Sequence, residues 1–197
     1  MNLPNKLTVS RLVITVIFLM VMFARFPGHQ TVGLVLFCLG GITDHLDGRI
    51  ARKYKLITNF GKLMDPLADK LLTCSAFITF VDLDQMPAWM VVVIVARELS
   101  ITGLRTLAAS KNIILAAEGF GKHKTISQIV CIISILFLLS YPQWGATGQA
   151  IFGYNLFGGG PWLAWFTEAS KWVAVALTII SGALYLWRNR EVYLNDV

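Results

Sequence analysis

The sequence predicts an all-α membrane protein, with six transmembrane helices preceded by a short N-terminal interfacial helix. Three observations predict it. The 197-residue chain is 56% hydrophobic and only 14% charged, well below the roughly one quarter charged that soluble domains carry. Apolar runs near or above the ~18 residues that suggest a membrane crossing recur along its whole length. Positive charge gathers in alternate connections, as in a multi-pass protein with a fixed orientation. The net charge of +6 sits mainly in those connections, and no nucleic-acid partner is expected. No repeat, low-complexity tract or linker divides the chain, so residues 1–197 are expected to form one membrane domain.

The segment from Asn2 to Arg11 opens with Pro4 and Asn5, a helix-start signal. Asn5, Thr8 and Arg11 are spaced by three, which places them on one helix face. That face is either a polar interfacial cap or a wall turned toward a site. No small-residue cleavage site follows, so the first apolar run is expected to be retained. The first span runs from about Leu12 to Arg25. The second starts near Thr31 and runs through Gly40 and Gly41 into Asp44 and Asp47. The third begins at Gly61 and ends near Val81. The fourth runs from Pro87 to about Leu107, the fifth from about Lys124 to Leu139, the sixth from about Ala169 to Trp187. Cys38, Cys74 and Cys131 lie inside these runs and read as small buried hydrophobes.

Loop charge sets the expected orientation. Arg49, Arg52, Lys53, Lys55 and Lys62 crowd the second connection, and Arg105, Lys111, Lys122 and Lys124 flank the fourth. Lys6 and Arg11 precede the first span, and Arg188 and Arg190 follow the last. The alternate loops hold little positive charge. Both termini and the stretch from Asp44 to Asp69 are therefore expected on the cytoplasmic side. Trp144, Trp162 and Trp165 suit the outer interface, and Trp187 the inner one.

Four of the eleven acidic residues fall between Asp44 and Asp69. Asp44 and Asp47 are i and i+3, and Asp65 and Asp69 are i and i+4, so each pair shares a helix face. The second span runs inward and the third outward, so the two acidic faces can meet near the inner surface. Four converging carboxylates repel strongly unless cations lie between them. Their oxygens suit Mg2+ or Mn2+, and four of them can hold two ions, the arrangement that clamps attacking and leaving oxygens in phosphoryl transfer. Gly48, Gly61 and the small Ala51 allow close approach of a diphosphate, and Arg52 can neutralise a phosphate. The plainer alternative is a set of membrane-edge aspartates paired with nearby lysines and arginines.

Asp44-x2-Asp47-Gly48-x2-Ala51-Arg52-x8-Gly61-x3-Asp65-x3-Asp69 resembles the signature of the CDP-alcohol phosphotransferase family at every position. The resemblance implies six membrane helices, a homodimer, a divalent-metal requirement and a CDP-activated lipid donor. It implies that Asp44, Asp47 and Asp65 bind metal, and that Asp69 binds metal and takes a proton as the catalytic base. The implied donor-binding residues are Pro4, Asn5, Thr8, Gly48, Ala51, Arg52, Thr58 and Gly61. Pro4-Asn5-x-Leu7-Thr8-x2-Arg11 also resembles the family's opening segment, which favours a face turned toward the site.

Ala96-Arg97-Glu98, Thr102-Gly103-Leu104-Arg105 and Gly121-Lys122-His123-Lys124-Thr125-x2-Gln128 resemble the bacterial branch whose acceptor is sn-glycerol 3-phosphate. That branch implies the donor CDP-diacylglycerol, the products phosphatidylglycerophosphate and CMP, and a place in the bacterial inner membrane. The residue types agree. Arg97 lies inside a span and is costly there without a partner. Glu98 is its sequence neighbour but is expected to point elsewhere on the helix. Arg105 lies near the face of Arg97, and Lys122 and Lys124 begin the next span. A phosphate-bearing acceptor accounts for this group of Arg97, Arg105, Lys122 and Lys124. Serine, inositol phosphate or phosphatidylglycerol are the alternative acceptors, and positive-inside anchoring is the alternative role for the cations. From a different class, a divalent-cation transporter also places aspartates in membrane helices, but would spread them along a route across the bilayer. His45 and His123 are expected to be solvated or capping.

Overall fold

The structure, a computed structural model, describes residues 3–24, 26–54, 59–110, 119–155, 158–190 and 192; of residues 3–8, 44–54, 59–69 and 119–120 it describes the backbone alone. Among the described residues seven α-helices and one 3-10 turn follow one another: α1 Leu3–Ala24, α2 His29–Tyr54, α3 Asn59–Asp82, α4 Ala88–Ser110, α5 Gly119–Ser140, the 3-10 turn Tyr141–Trp144, α6 Gly145–Phe152 and α7 Trp162–Arg188. The only β pairing among them is an isolated bridge between Asn155 and Pro161.

Proline and left-handed residues mark the joints. Pro27 disfavours helix in the residue before it, and Gly28 follows at φ 87°, a conformation that costs glycine little. Beyond α3, Asp84 turns the chain at φ 54°, while the amides of Gln85 and Met86 both donate to the Phe80 carbonyl at 2.8 and 3.2 Å. Pro87 then precedes α4. Pro142 lies in the first turn of the 3-10 segment, where its missing N–H costs little.

Six long helices stand where apolar runs predict spans, with four differences, one being that α5 starts at Gly119 rather than near Lys124. The opening segment is not a separate interfacial helix: α1 is continuous from Leu3 to Ala24. Pro4 lies in its first turn, where helices tolerate proline, and no breaker follows before the apolar run. Helix α7 starts at Trp162 rather than near Ala169. Its first turns carry Thr167, which is buried, and Glu168, and these break the apolar run. The aromatic connection after α5 holds α6, an eight-residue helix too short to show a clear period.

Helix α5 packs chiefly on α7, α1 lies against both α2 and α3, and α4 rests on α7 and α3. The core draws from all six long helices, including Phe18, Phe37, Phe77, Ile94, Leu136 and Val175. A polar seam joins α5 to α7. The Ser134 and Ser170 hydroxyls lie 3.0 Å apart, and Gln128 Nε2 donates to Thr178 Oγ1 at 3.1 Å. Such bonds between helices in lipid contribute about 0.6 kcal/mol each. At the far end of α5, Trp144 Nε1 donates to Thr31 Oγ1 at 3.0 Å. There Phe137, Trp144, Phe152 and Trp162 form a chain of ring contacts.

The exterior is apolar, with Met20, Ile78, Val92, Leu99 and Trp172 all more than half exposed. Among the described residues two helical stretches are long and apolar enough to cross a membrane, Gly121–Phe152 and Trp162–Arg188, and Val9–Ala24 and His29–Thr43 are shorter apolar helices. Both features are consistent with a membrane protein.

Candidate active site

Five helices enclose a cavity of about 460 Å³. Arg11 of α1, Gly40 and Gly41 of α2, Lys70 of α3, Arg97, Glu98 and Arg105 of α4, and Lys122, Lys124 and Gln128 of α5 line it. Among the described residues six cations thus face one cavity with a single carboxylate, Glu98. Arg97, Arg105, Lys122 and Lys124, separated by up to 27 positions in sequence, are brought together there. Two others, Arg11 and Lys70, join them.

Each cation is held differently. Arg97 runs across α7 where that helix has glycine: a Cβ at Gly182 would lie 2.9 Å from Arg97 Cγ. Its Nη1 lies 3.5 Å from Glu98 Oε1, while its Nε is buried without a hydrogen-bond partner among the described residues. The expectation that Glu98 points away from Arg97 is therefore corrected. Adjacent Cβ atoms on a helix do diverge, but the arginine stem is long enough to turn its guanidinium back. Arg105 is propped by α7: its Nε donates to the Tyr185 hydroxyl at 3.1 Å, and its guanidinium carbon lies 5.3 Å from the centre of that ring. Lys122 is exposed, whereas Lys124 is buried and donates to Glu98 Oε1. Lys70 lies 3.4 Å from Glu98 Oε2 and donates to the Thr102 hydroxyl.

Backbone continuity ties this cavity to the acidic stretch. Gly40 and Gly41 line it, and Asp44 follows one turn later on α2. Lys70 lines it, and Asp69 is the residue before it on α3. The helical backbone through these segments keeps Asp44 with Asp47, and Asp65 with Asp69, in register on single faces. The side chains of Pro4, Asn5, Thr8, Asp44, Asp47, Gly48, Ala51, Arg52, Gly61, Asp65 and Asp69 lie outside the described residues, as does all of Thr58. Among the described residues no group of three His, Cys, Asp or Glu could hold a metal. His123 is exposed, and the side chain of His45 also lies outside the described residues.

Sequence reasoning missed Lys70, Gly182 and Tyr185, and left Glu98 without a role. Lys70 directly follows the aspartate motif, a signal that was present. Gly182 and Tyr185 lie in an apolar helix, and only packing relates them to the cavity.

A polar cavity inside a helical membrane bundle, walled by cations and adjoining a paired-aspartate stretch, suits an enzyme acting on phosphorylated substrates. The family model for CDP-alcohol phosphatidyltransferase matches residues 1–180, and the chain belongs to that family. Among its relatives, the Bacillus subtilis CDP-diacylglycerol–glycerol-3-phosphate 3-phosphatidyltransferase is 38% identical over 96% of both chains. Proteins of the same name from Rickettsia bellii and Cereibacter sphaeroides are 36% and 31% identical, over 93% of both chains and over 99% and 98%.

Proposed function

We propose that the chain transfers the phosphatidyl group of CDP-diacylglycerol to sn-glycerol 3-phosphate, giving phosphatidylglycerophosphate and CMP. The observation that carries this is the gathering of Arg97, Arg105, Lys122 and Lys124 in one cavity beside the aspartate-bearing helices. A dianionic phosphate offers counter-charge to the six cations that, among the described residues, face the cavity with one carboxylate. A zwitterionic acceptor of zero net charge, such as serine, offers less. Relatives bearing the name of this activity cover nearly the whole chain.

In this mechanism the four cations hold the acceptor phosphate and leave its 1-hydroxyl free toward the aspartates. Pro4, Asn5, Thr8, Gly48, Ala51, Arg52, Thr58 and Gly61 bind the CDP donor, with Arg52 neutralising a phosphate. The hydroxyl oxygen forms a bond to the β-phosphorus as the bond to the CMP oxygen breaks, and Asp69 accepts the hydroxyl proton. Asp44, Asp47, Asp65 and Asp69 form a hard-oxygen donor set suited to two Mg2+ or Mn2+ ions, which when bound offset the diphosphate charge. The chain forms one membrane domain with six spans, both termini and the site facing the cytoplasm of a bacterium, and acts as a homodimer. The acyl chains stay in the inner membrane while the headgroup enters the site.

An acceptor panel tests this. Purified protein is given CDP-diacylglycerol with glycerol 3-phosphate, serine, inositol phosphate or phosphatidylglycerol, and CMP release is measured. Glycerol 3-phosphate is expected to be strongly preferred. Turnover with another acceptor and none with glycerol 3-phosphate would overturn the assignment.

A further inference from the structure

Glu98 is the one carboxylate among the described residues in the wall of the cationic cavity, and its surroundings give it a task. It is 5% exposed. Its two oxygens meet cations from three helices: Lys124 of α5 and Arg97 of α4 at Oε1, and Lys70 of α3 at Oε2. All three cations line the cavity. The Glu98 backbone carbonyl also accepts from Thr102 Oγ1 at 2.7 Å, and Thr102 in turn accepts from Lys70. Lysine ammonium groups on flexible stems lose rotamer freedom when fixed, and like charges held close repel. A single buried carboxylate offsets both costs before any substrate arrives. Its own burial is tolerable only because it is multiply paired.

We infer that Glu98 is a positioning residue for the acceptor phosphate. It holds Lys70, Lys124 and Arg97 as one preorganised wall and leaves Arg105 and Lys122 free of its pull. Lys70 directly follows Asp69, so the Glu98–Lys70 contact also fixes where α3 stands relative to the acceptor. This rests on the proposed acceptor and deepens it. Glu98 itself repels a phosphate, so it acts through the cations and not by touching substrate.

The test is a kinetic split on full-length protein in detergent or vesicles. Glu98→Gln removes the charge at constant shape, and Glu98→Asp keeps the charge one methylene short. Glu98→Gln is expected to raise KM for glycerol 3-phosphate roughly tenfold, as expected for lost charge-assisted bonds. Its KM for CDP-diacylglycerol should stay within about threefold of the parent value, and Glu98→Asp should recover part of the loss. Combining Glu98→Gln with Lys124→Gln should be less damaging than the product of the two single effects. A second readout is binding without turnover. Glycerol 3-phosphate should raise the melting temperature of the parent protein, and much less that of Glu98→Gln. If Glu98→Gln does not fold, Glu98→Asp carries the same comparison. A parent protein that neither turns over nor is stabilised by glycerol 3-phosphate overturns the acceptor assignment and this inference with it. A responsive parent with an unchanged acceptor KM in the Glu98 variants overturns this inference alone.

Discussion

Arg97 Cγ lies against the Cα of Gly182, close enough that a Cβ there would approach it to 2.9 Å. The contact is at the base of the arginine stem, not at its mobile tip, so the side chain cannot yield by swinging its end away. Gly182→Ala is therefore expected to push Arg97 out of line. Overpacking of this kind costs about 1–3 kcal/mol, and part of that should appear as a higher KM for glycerol 3-phosphate. Steady-state kinetics with both substrates varied, alongside a melting curve, checks it. An unaltered acceptor KM would show that Arg97 does not need this channel.

Tyr185 supports Arg105 in two ways, through its hydroxyl and through its ring. Tyr185→Phe removes the first and keeps the second. The expected loss is about 1 kcal/mol, roughly fivefold in acceptor KM, since one hydrogen bond to a charged group disappears. Arg105→Ala should raise that KM further with little change for the donor. If Arg105→Ala leaves the acceptor KM unchanged, Arg105 is only a membrane anchor.

Asp69→Asn is expected to lower CMP release by about 10²-fold or more, the usual scale for losing a general base. The variant should remain folded by size-exclusion chromatography. Chelation of divalent ions should abolish release from the parent protein, and added Mg2+ or Mn2+ should restore it. Near-parental turnover by the Asn variant would remove Asp69 from the proton transfer.

Lys171 provides the contrasting case. It is buried and paired with the exposed Glu168 at 2.6 Å, yet it lies eleven residues from Gly182, roughly 16 Å along α7. Burying a methionine there in place of an ammonium is close to neutral for stability. Lys171→Met is expected to leave kcat and both KM values within about twofold of the parent. A large acceptor effect would mean that α7 transmits strain along its length.

The sequence showed much of this design because two of its signals are local. Apolar runs located the six long helices, and the spacing of Asp44, Asp47, Asp65 and Asp69 assigned each pair to one helix face. Arg97 stood out because charge inside an apolar segment is costly, and Arg105, Lys122 and Lys124 because the motifs that hold them resemble the family's. What was hidden depends on contacts between distant segments. Glu98 reaches Lys124 26 positions away, and Arg105 reaches Tyr185 80 positions away. Nothing in the spacing of those residues announces either pairing. The early start of α7 was concealed because Thr167 and Glu168 interrupt its apolar run, although Thr167 is buried.

The family match ends at residue 180, two positions short of Gly182 and five short of Tyr185. The tail of the last helix, which does not itself line the cavity, thus backs two arginines that do, Arg97 and Arg105. A search keyed to the aspartates is blind to it. Substitution at Gly182 or Tyr185 can therefore displace cavity arginines while the aspartate motif stays in place.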